Sequence, residues 1–345
     1  MEKNLLVAYV ETKDLGRMDE ADVKALDVIN IAFALVIDGK VTWEHPECEE
    51  ALAKIRQINP ELKIVVSVGG WGAGGFSEAA YTGEGRVLFA RTAVELVQRY
   101  GLDGIDIDWE YPCLGMAKIG ADAADKENFT LLLAELREQL EAVEKGRYLL
   151  TIAAGGDTYF VRNTQMEQVQ QYLDYVQLMT YDLRGGFQIL TGHHTNLYSI
   201  QADLFDPSMD KAVRVFHEAG VPYEKIVVGA AFYSREWVGV PDRNHGLCQH
   251  AEATAPGHSY AVLLDEYVDK NGYVRYWDDE AKAPYLFNGS RFISYEDEKS
   301  LSCKIAYLKE KGLKGIMFWV YGEDTTYTLV KHMRKELGGK EQHGL

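Results

Sequence analysis

Residues 103–112 read Asp-Gly-Ile-Asp-Ile-Asp-Trp-Glu-Tyr-Pro, with Asp106, Asp108 and Glu110 at i, i+2 and i+4. In a β-strand side chains alternate faces. This spacing therefore points all three carboxyls one way and Ile105, Ile107 and Trp109 the other. Carboxyls stacked on one face of a buried strand are costly, because each resists ionising beside its neighbours and away from water. A purely structural strand has no use for them. A general acid does, since crowding holds one carboxyl protonated near neutral pH. A solvated acidic edge strand would account for the charges but not for the Ile/Ile/Trp alternation or the flanking Gly104. A calcium loop would need ligands on an irregular turn with a glycine at its centre. The run reads as an acid/base site, because perturbed carboxyls cluster at active sites.

The elements that must position this strand recur along the chain. Apolar, β-branched runs predict strands near 5–10, 28–35, 63–68, 104–110, 149–153, 176–181, 226–232 and 315–320. Between them, 49–58, 86–100 and 126–140 carry apolar residues at i, i+3/i+4 and i+7, the spacing of an amphipathic helix. Strands alternating with helices imply parallel βαβ units, and eight units imply a closed (β/α)8 TIM barrel. Glu110 then stands at a strand's carboxyl end, where barrel active sites lie. A doubly wound open sheet is the alternative, but no G-x-G-x-x-G follows the first strand. Gly72-Ala73-Gly74-Gly75 follows the third strand and reads as a βα-loop. One connection is long. The seventh strand is expected to end near Trp237, and about 60 residues then precede a helix near Glu296. Within it, Asn271-Gly272 lies between strand-like arms and predicts a hairpin, and Asn288-Gly289 a second turn. The expected organisation is a catalytic barrel over 1–237 and 295–345, with a small α+β insertion over 238–294, between strand 7 and helix 7/strand 8.

The chain has 345 residues, more than a usual domain but within the range of one barrel. A net charge of −17 argues against a nucleic-acid partner, which would want a basic face. No apolar run reaches the ~18 residues of a membrane span. The N-terminal run Leu5–Val10 is too short for a signal sequence. The expected location is cytoplasmic for a full-length chain, or secreted if a signal peptide has been removed. Cys48, Cys113, Cys248 and Cys303 are widely spaced, with no C-x-x-C pair, and read as reduced thiols. His193-His194 tempts a metal reading, but no third ligand stands at metal spacing, so no metal and no cofactor is expected. A monomer is the default.

Asp103, Asp106, Asp108 and Glu110 also form the D-x-x-D-x-D-x-E signature, which resembles family 18 glycoside hydrolases, the chitinases and their relatives. Other strand ends are similar to that family. Ser67-Val68-Gly69-Gly70-Trp71 resembles its S-x-G-G motif, and Met179-Thr180-Tyr181-Asp182 its M-x-Y-D motif. Gly229–Trp237 resembles G-x-P-F-Y-G-R-x-W, with Ala231 for proline and Ser234 for glycine. Gly315–Trp319 ends where the family places a tryptophan under the reacting sugar. The first strand departs from the pattern. Ala8 replaces a common glycine, and Val10-Glu11-Thr12 lacks the usual aromatics.

The resemblance implies a retaining, substrate-assisted hydrolase of β-1,4-linked N-acetylglucosamine chains, chitin or chitooligosaccharides, an exception to the usual pair of catalytic carboxylates. It implies Glu110 as acid and then base, Asp108 as orienter of the 2-acetamido group, Asp106 as its proton partner and Tyr181 as hydrogen-bond donor to the acetamido oxygen. Asp182, Met179, Arg235, Trp71, Gly70 and Trp319 are the implied sugar-binding residues, and Asp103 is structural. Two rival functions stand beside this one: a hydrolase of another N-acetylglucosamine glycan (N-glycan or peptidoglycan), and a non-catalytic chitin-binding lectin on the same fold.

Overall fold

The computed structural model describes residues 3–339. Among the described residues fourteen strands form in chain order: β1 Leu5–Glu11, β2 Val28–Ile37, β3 Lys40–Thr42, β4 Lys63–Gly69, β5 Gly104–Asp108, β6 Leu149–Gly155, β7 Tyr175–Met179, β8 Ile226–Ala231, β9 Arg235–Val238, β10 Ala253–Ala255, β11 Val274–Asp278, β12 Ala283–Phe287, β13 Arg291–Ser294 and β14 Gly315–Trp319. Strands β1, β2, β4, β5, β6, β7, β8 and β14 pair in parallel, and the β1–β2 pairing closes them into the expected (β/α)8 barrel. The short β3 is a hairpin partner on the outer end of β2.

Two apolar layers divide the alternating residues. Outward side chains such as Ile64, Val66, Ile105, Ile107 and Ile152 join the helices in the main core. Inward side chains, among them Val7, Val28, Val65, Tyr175 and Met317, form a smaller cluster inside the barrel. The surrounding helices have identifiable stops. The helix Gly83–Tyr100 starts on a Thr82 hydroxyl that accepts from Gly85 N–H, and it ends at Gly101 in the left-handed conformation. Glu298–Lys311 begins with a reciprocal Asp297/Ser300 capping box.

The long connection differs from the sequence expectation in two places. The seventh barrel strand ends at Ala231, not near Trp237. Phe232 N–H still donates to Trp319 C=O, but Ser234 N–H turns to His258 C=O, and Arg235–Val238 leaves the barrel to pair with β10 and β13. The predicted Asn271-Gly272 hairpin does not form. Both residues do have the positive φ such a turn wants, 50° and 82°. Their N-terminal arm, however, is a helical turn over Leu263–Tyr267 that buries Leu263. The hairpin of β11 and β12 instead turns at residues 279–282, and β12 and β13 turn at Asn288–Ser290. The five antiparallel strands β10-β9-β13-β12-β11 make a second sheet beside the barrel mouth.

Candidate active site

The layer that replaces apolar packing inside the barrel sets the site. Register places Ser67 of β4 and Thr151 of β6 on either side of Asp106 in β5. Both hydroxyls donate to the Asp106 carboxylate, at 2.7 Å each. Tyr9 O–H from β1 adds a third bond at 2.8 Å and Gln177 Nε2 from β7 a fourth at 2.9 Å. Gln177 is fixed in turn, since its amide oxygen accepts from Asn30 of β2. Asp106 has no solvent exposure. Burial pushes its carboxyl above the usual range, and the four donors pull it back. With four donors converging on it, Asp106 is the member of the stack suited to carry negative charge.

One layer nearer the mouth, Asp108 is buried, and its Oδ1 meets no donor among the described residues. Burial raises it well above the usual carboxyl range, and the charges of Glu110 and Asp106 raise it further. Glu110 sits above it at the cleft floor. Burial pushes Glu110 up to about 7; the Tyr111 hydroxyl opposes the shift, and Asp182 adds to it. A carboxyl that titrates near neutrality is what a general acid/base requires. The backbone geometry of this end depends on glycine at one position. Gly69 has φ +122°, and a Cβ there would lie 2.0 Å from Asp108 C=O.

A cleft of about 1110 Å³ opens over these carboxyls. Trp319, at the end of β14, forms its floor with Phe33 stacked on it at 5.4 Å and Tyr9 tilted against it at 5.7 Å. Beyond Glu110, Trp71 stands half exposed with Tyr111 at 6.5 Å and Phe187 at 6.1 Å. Tyr181 is buried, and burial keeps its phenol protonated, so it can donate. Asp182 receives both Arg235 Nε and Nη2 at 2.6 Å, a bidentate pair. Burial alone would raise Asp182, but His194 and Arg235 outweigh it and hold the carboxyl below its ordinary range.

The structure thus gathers Asp108, Glu110, Tyr181, Asp182, Met179, Arg235, Trp71 and Trp319 on one cleft wall and floor. Asp106 lies one layer beneath it. Gly70 is set back from the wall: its N–H donates to Asp108 C=O, and a Cβ would strike the Phe33 ring at 2.6 Å. Asp103 lies at the opposite end of β5, accepting from Ile64 N–H and paired with Arg56. The adjacent histidines diverge, His193 toward Asp278 and His194 toward Asp182. Sequence reasoning missed Phe33, Tyr111, Phe187 and Tyr233 as cleft residues. Tyr111 follows the carboxylate run directly and was open to view. Phe187 sits in a loop with no periodic pattern to flag it.

A family model described as Glycosyl hydrolases family 18 matches residues 6–324. The chain is 38% identical over 329 residues to Chitinase A1 of Niallia circulans, covering 86% of this chain and 46% of that one. It is 31% identical to Chitinase B of Serratia marcescens, covering 90% of this chain and 75% of that one. The chain spans about half the length of Chitinase A1. Among solved structures, it superposes with a TM-score of 0.94 and 51% identity on a glycoside hydrolase family 18 N-acetylglucosaminidase from Paenibacillus barengoltzii, covering 96% of this chain and 99% of that one.

Proposed function

Because this chain belongs to glycosyl hydrolase family 18, we propose that it is a retaining glycoside hydrolase that cleaves β-1,4-linked N-acetylglucosamine chains by substrate-assisted catalysis. The observation that carries the reading is the graded carboxyl stack: Asp106 saturated with donors, Asp108 buried with an oxygen that meets none, Glu110 titrating about 7 above the floor. The grading separates the roles by environment.

In this mechanism the reacting sugar lies on Trp319, its apolar face against the indole. Glu110 delivers its proton to the glycosidic oxygen as the bond to the anomeric carbon breaks. The sugar's own acetamido oxygen attacks that carbon and closes an oxazolinium ring. The acetamido N–H donates to Asp108, whose unmatched oxygen accepts it. The growing positive charge is balanced by the carboxylate charge that Asp106 and Asp108 share. Tyr181 O–H donates to the acetamido oxygen and aims it. Glu110, now ionised, takes a proton from water, and the resulting hydroxide adds to the anomeric carbon from the face the leaving group vacated, as the bond from that carbon to the acetamido oxygen breaks and the ring reopens to a neutral acetamido group. Two inversions at one carbon retain configuration. The leaving sugars extend over Trp71, Tyr111 and Phe187, on the far side of Glu110 from Trp319. We read residues 238–294 as a module inserted in the barrel, and the chain segment entering it brings Arg235 to the cleft.

The test is hydrolysis of chitotetraose to chitohexaose by wild type and Glu110→Gln, with products sized and their anomers assigned early. The expected result is β-anomer product from wild type and a loss of about a thousandfold in the variant, the scale of a positioned general acid/base. Cleavage of a plain β-glucoside at a comparable rate would refute substrate assistance. A second reading, release of single N-acetylglucosamine units, is favoured by the likeness to the Paenibacillus N-acetylglucosaminidase. Monomer as the sole early product would select it.

A further inference from the structure

His194 is buried at the back of the cleft, and none of the roles above uses it. Its side chain has no exposure, and neither ring nitrogen has a hydrogen-bond partner among the described residues. A buried polar group left unmatched costs on the order of 1–3 kcal/mol, so its place in the connection that follows β7 calls for a reason. Its nearest charged group is Asp182: Nδ1 lies 3.7 Å from Oδ1. The two residues are also joined through the main chain. Leu183 N–H, next to Asp182, donates to His194 C=O, while His194 N–H donates to Ser294 Oγ. Asp182 itself sits in the left-handed conformation at φ +54°, which aspartate tolerates better than most residues. The imidazole packs against the Tyr233 ring at 5.3 Å, and the Arg235 guanidinium lies over the same ring at 5.0 Å.

Both oxygens of Asp182 are engaged by Arg235. Two of the roughly four acceptor sites of that carboxylate are thus taken, and a sugar hydroxyl that donates to Asp182, the role the family resemblance implies for it, competes with Arg235 for the same charge. The carboxylate then needs a second donor to keep its orientation. We propose that His194 is a positioning residue that supplies this donor: its Nδ1–H faces Asp182 Oδ1 and closes on it when Arg235 yields to the substrate. The ring works in its neutral form. Burial lowers its proton affinity, Asp182 raises it, and the charges of Arg235 and Lys304 lower it again. The charged and titratable groups around it are thus Asp182 after β7, Tyr233 and Arg235 after β8, and Lys304 on the helix Glu298–Lys311. The inference rests on the proposed function, with Asp182 in the sugar-binding role that the family resemblance implies for it.

The experiment measures chitotetraose binding by calorimetry in the Glu110→Gln background, which removes turnover, alone and combined with His194→Phe or His194→Asn. Phenylalanine keeps the ring's bulk and deletes both nitrogens. Asparagine places an N–H near the position of Nδ1. The expected result is about a tenfold weaker Kd with phenylalanine, the value of roughly one hydrogen bond to a charged acceptor, and recovery to within about threefold with asparagine. An unchanged Kd in a folded His194→Phe protein overturns the proposal. So does equal weakening in both variants, which would assign the effect to packing. His194→Met, which also lacks a donor, gives the same reading if the phenylalanine variant does not fold. Absence of chitotetraose binding by Glu110→Gln alone would instead overturn the function on which this inference rests.

Discussion

Tyr111→Phe isolates the one contact that opposes the upward shift of Glu110. Burial pushes that carboxyl to about 7, and the Tyr111 hydroxyl favours its ionised form and pulls it down. The phenol keeps its proton and so can donate to the carboxylate, because burial and the Glu110 charge raise its own pKa far out of reach. A hydrogen bond to a buried carboxylate is worth about 1.5–3 kcal/mol, and the protonated acid keeps part of it. Taking about 1.4 kcal/mol as the difference between the two states gives a rise of about one pH unit. A general acid must be protonated to act, so kcat/KM falls about tenfold per unit above its pKa. The alkaline midpoint should therefore move from about 7 in wild type to about 8 in the variant. Near pH 9 the variant should be relatively more active than wild type, once each is scaled to its own plateau. The assay is a kcat/KM profile from pH 5 to 10 on a soluble chitooligosaccharide. Tyr111 also lines the leaving-group side, so a uniform loss at all pH values is compatible with the argument. A midpoint that stays in place or moves to lower pH refutes it.

Three further outcomes follow from groups at or near the site. Glu110→Gln should stabilise the fold above pH 7: a folded-state pKa of about 7 against an ordinary 4.5 means stability present below 4.5 is lost as pH rises through 7. The gain should be on the order of 2–3 kcal/mol at pH 8 and near zero at pH 4, read by urea unfolding at both values. Lys304→Met should destabilise by roughly 3–5 kcal/mol, because Lys304 and Glu296 are both fully buried at 2.6 Å and the Glu296 charge would lose its partner. Thermal melting checks it, and an unchanged melting temperature would mean Glu296 is held protonated without help. Gly69→Ala should give an insoluble or inactive protein, since its Cβ would meet Asp108 C=O at 2.0 Å; a folded, fully active variant would show that β4 and β5 part more easily than this contact implies.

The barrel was legible because each strand is a short apolar run between amphipathic helices, and those two periods differ. The carboxyl stack was legible for the same reason: alternation in 104–110 assigns every side chain a face. The donors that grade it were not. Tyr9, Ser67, Thr151 and Gln177 come from four strands, and only the barrel's register brings them to one layer. Nor did the residues reveal where the chain leaves the barrel. Ala231 to Trp237 contains no glycine or proline to mark an end, and the break at Ser234 is set by a distant partner, His258 C=O. The Asn271-Gly272 turn shows the converse error. Both residues take the backbone conformation such a turn wants, but the chain before them leaves a helical turn over Leu263–Tyr267, anchored by buried Leu263, and does not extend into a strand, while a hairpin needs both arms.

The grading of the three carboxyls explains why the stack needs a barrel and not only a strand. A strand fixes that Asp106, Asp108 and Glu110 share a face, but it leaves their environments alike. The closed sheet makes them unlike. Depth inside the barrel delivers four donors to Asp106, withholds them from an oxygen of Asp108 one layer up, and opens Glu110 to the cleft. Negative charge is therefore cheapest at the bottom of the stack and a proton is most available at the top. The same logic holds across the cleft, where Asp182 is kept ionised by Arg235 while Glu110 feels its charge and retains a proton more readily. Changing the donors around Asp106 should consequently alter the titration of Glu110, two layers away, without touching the substrate.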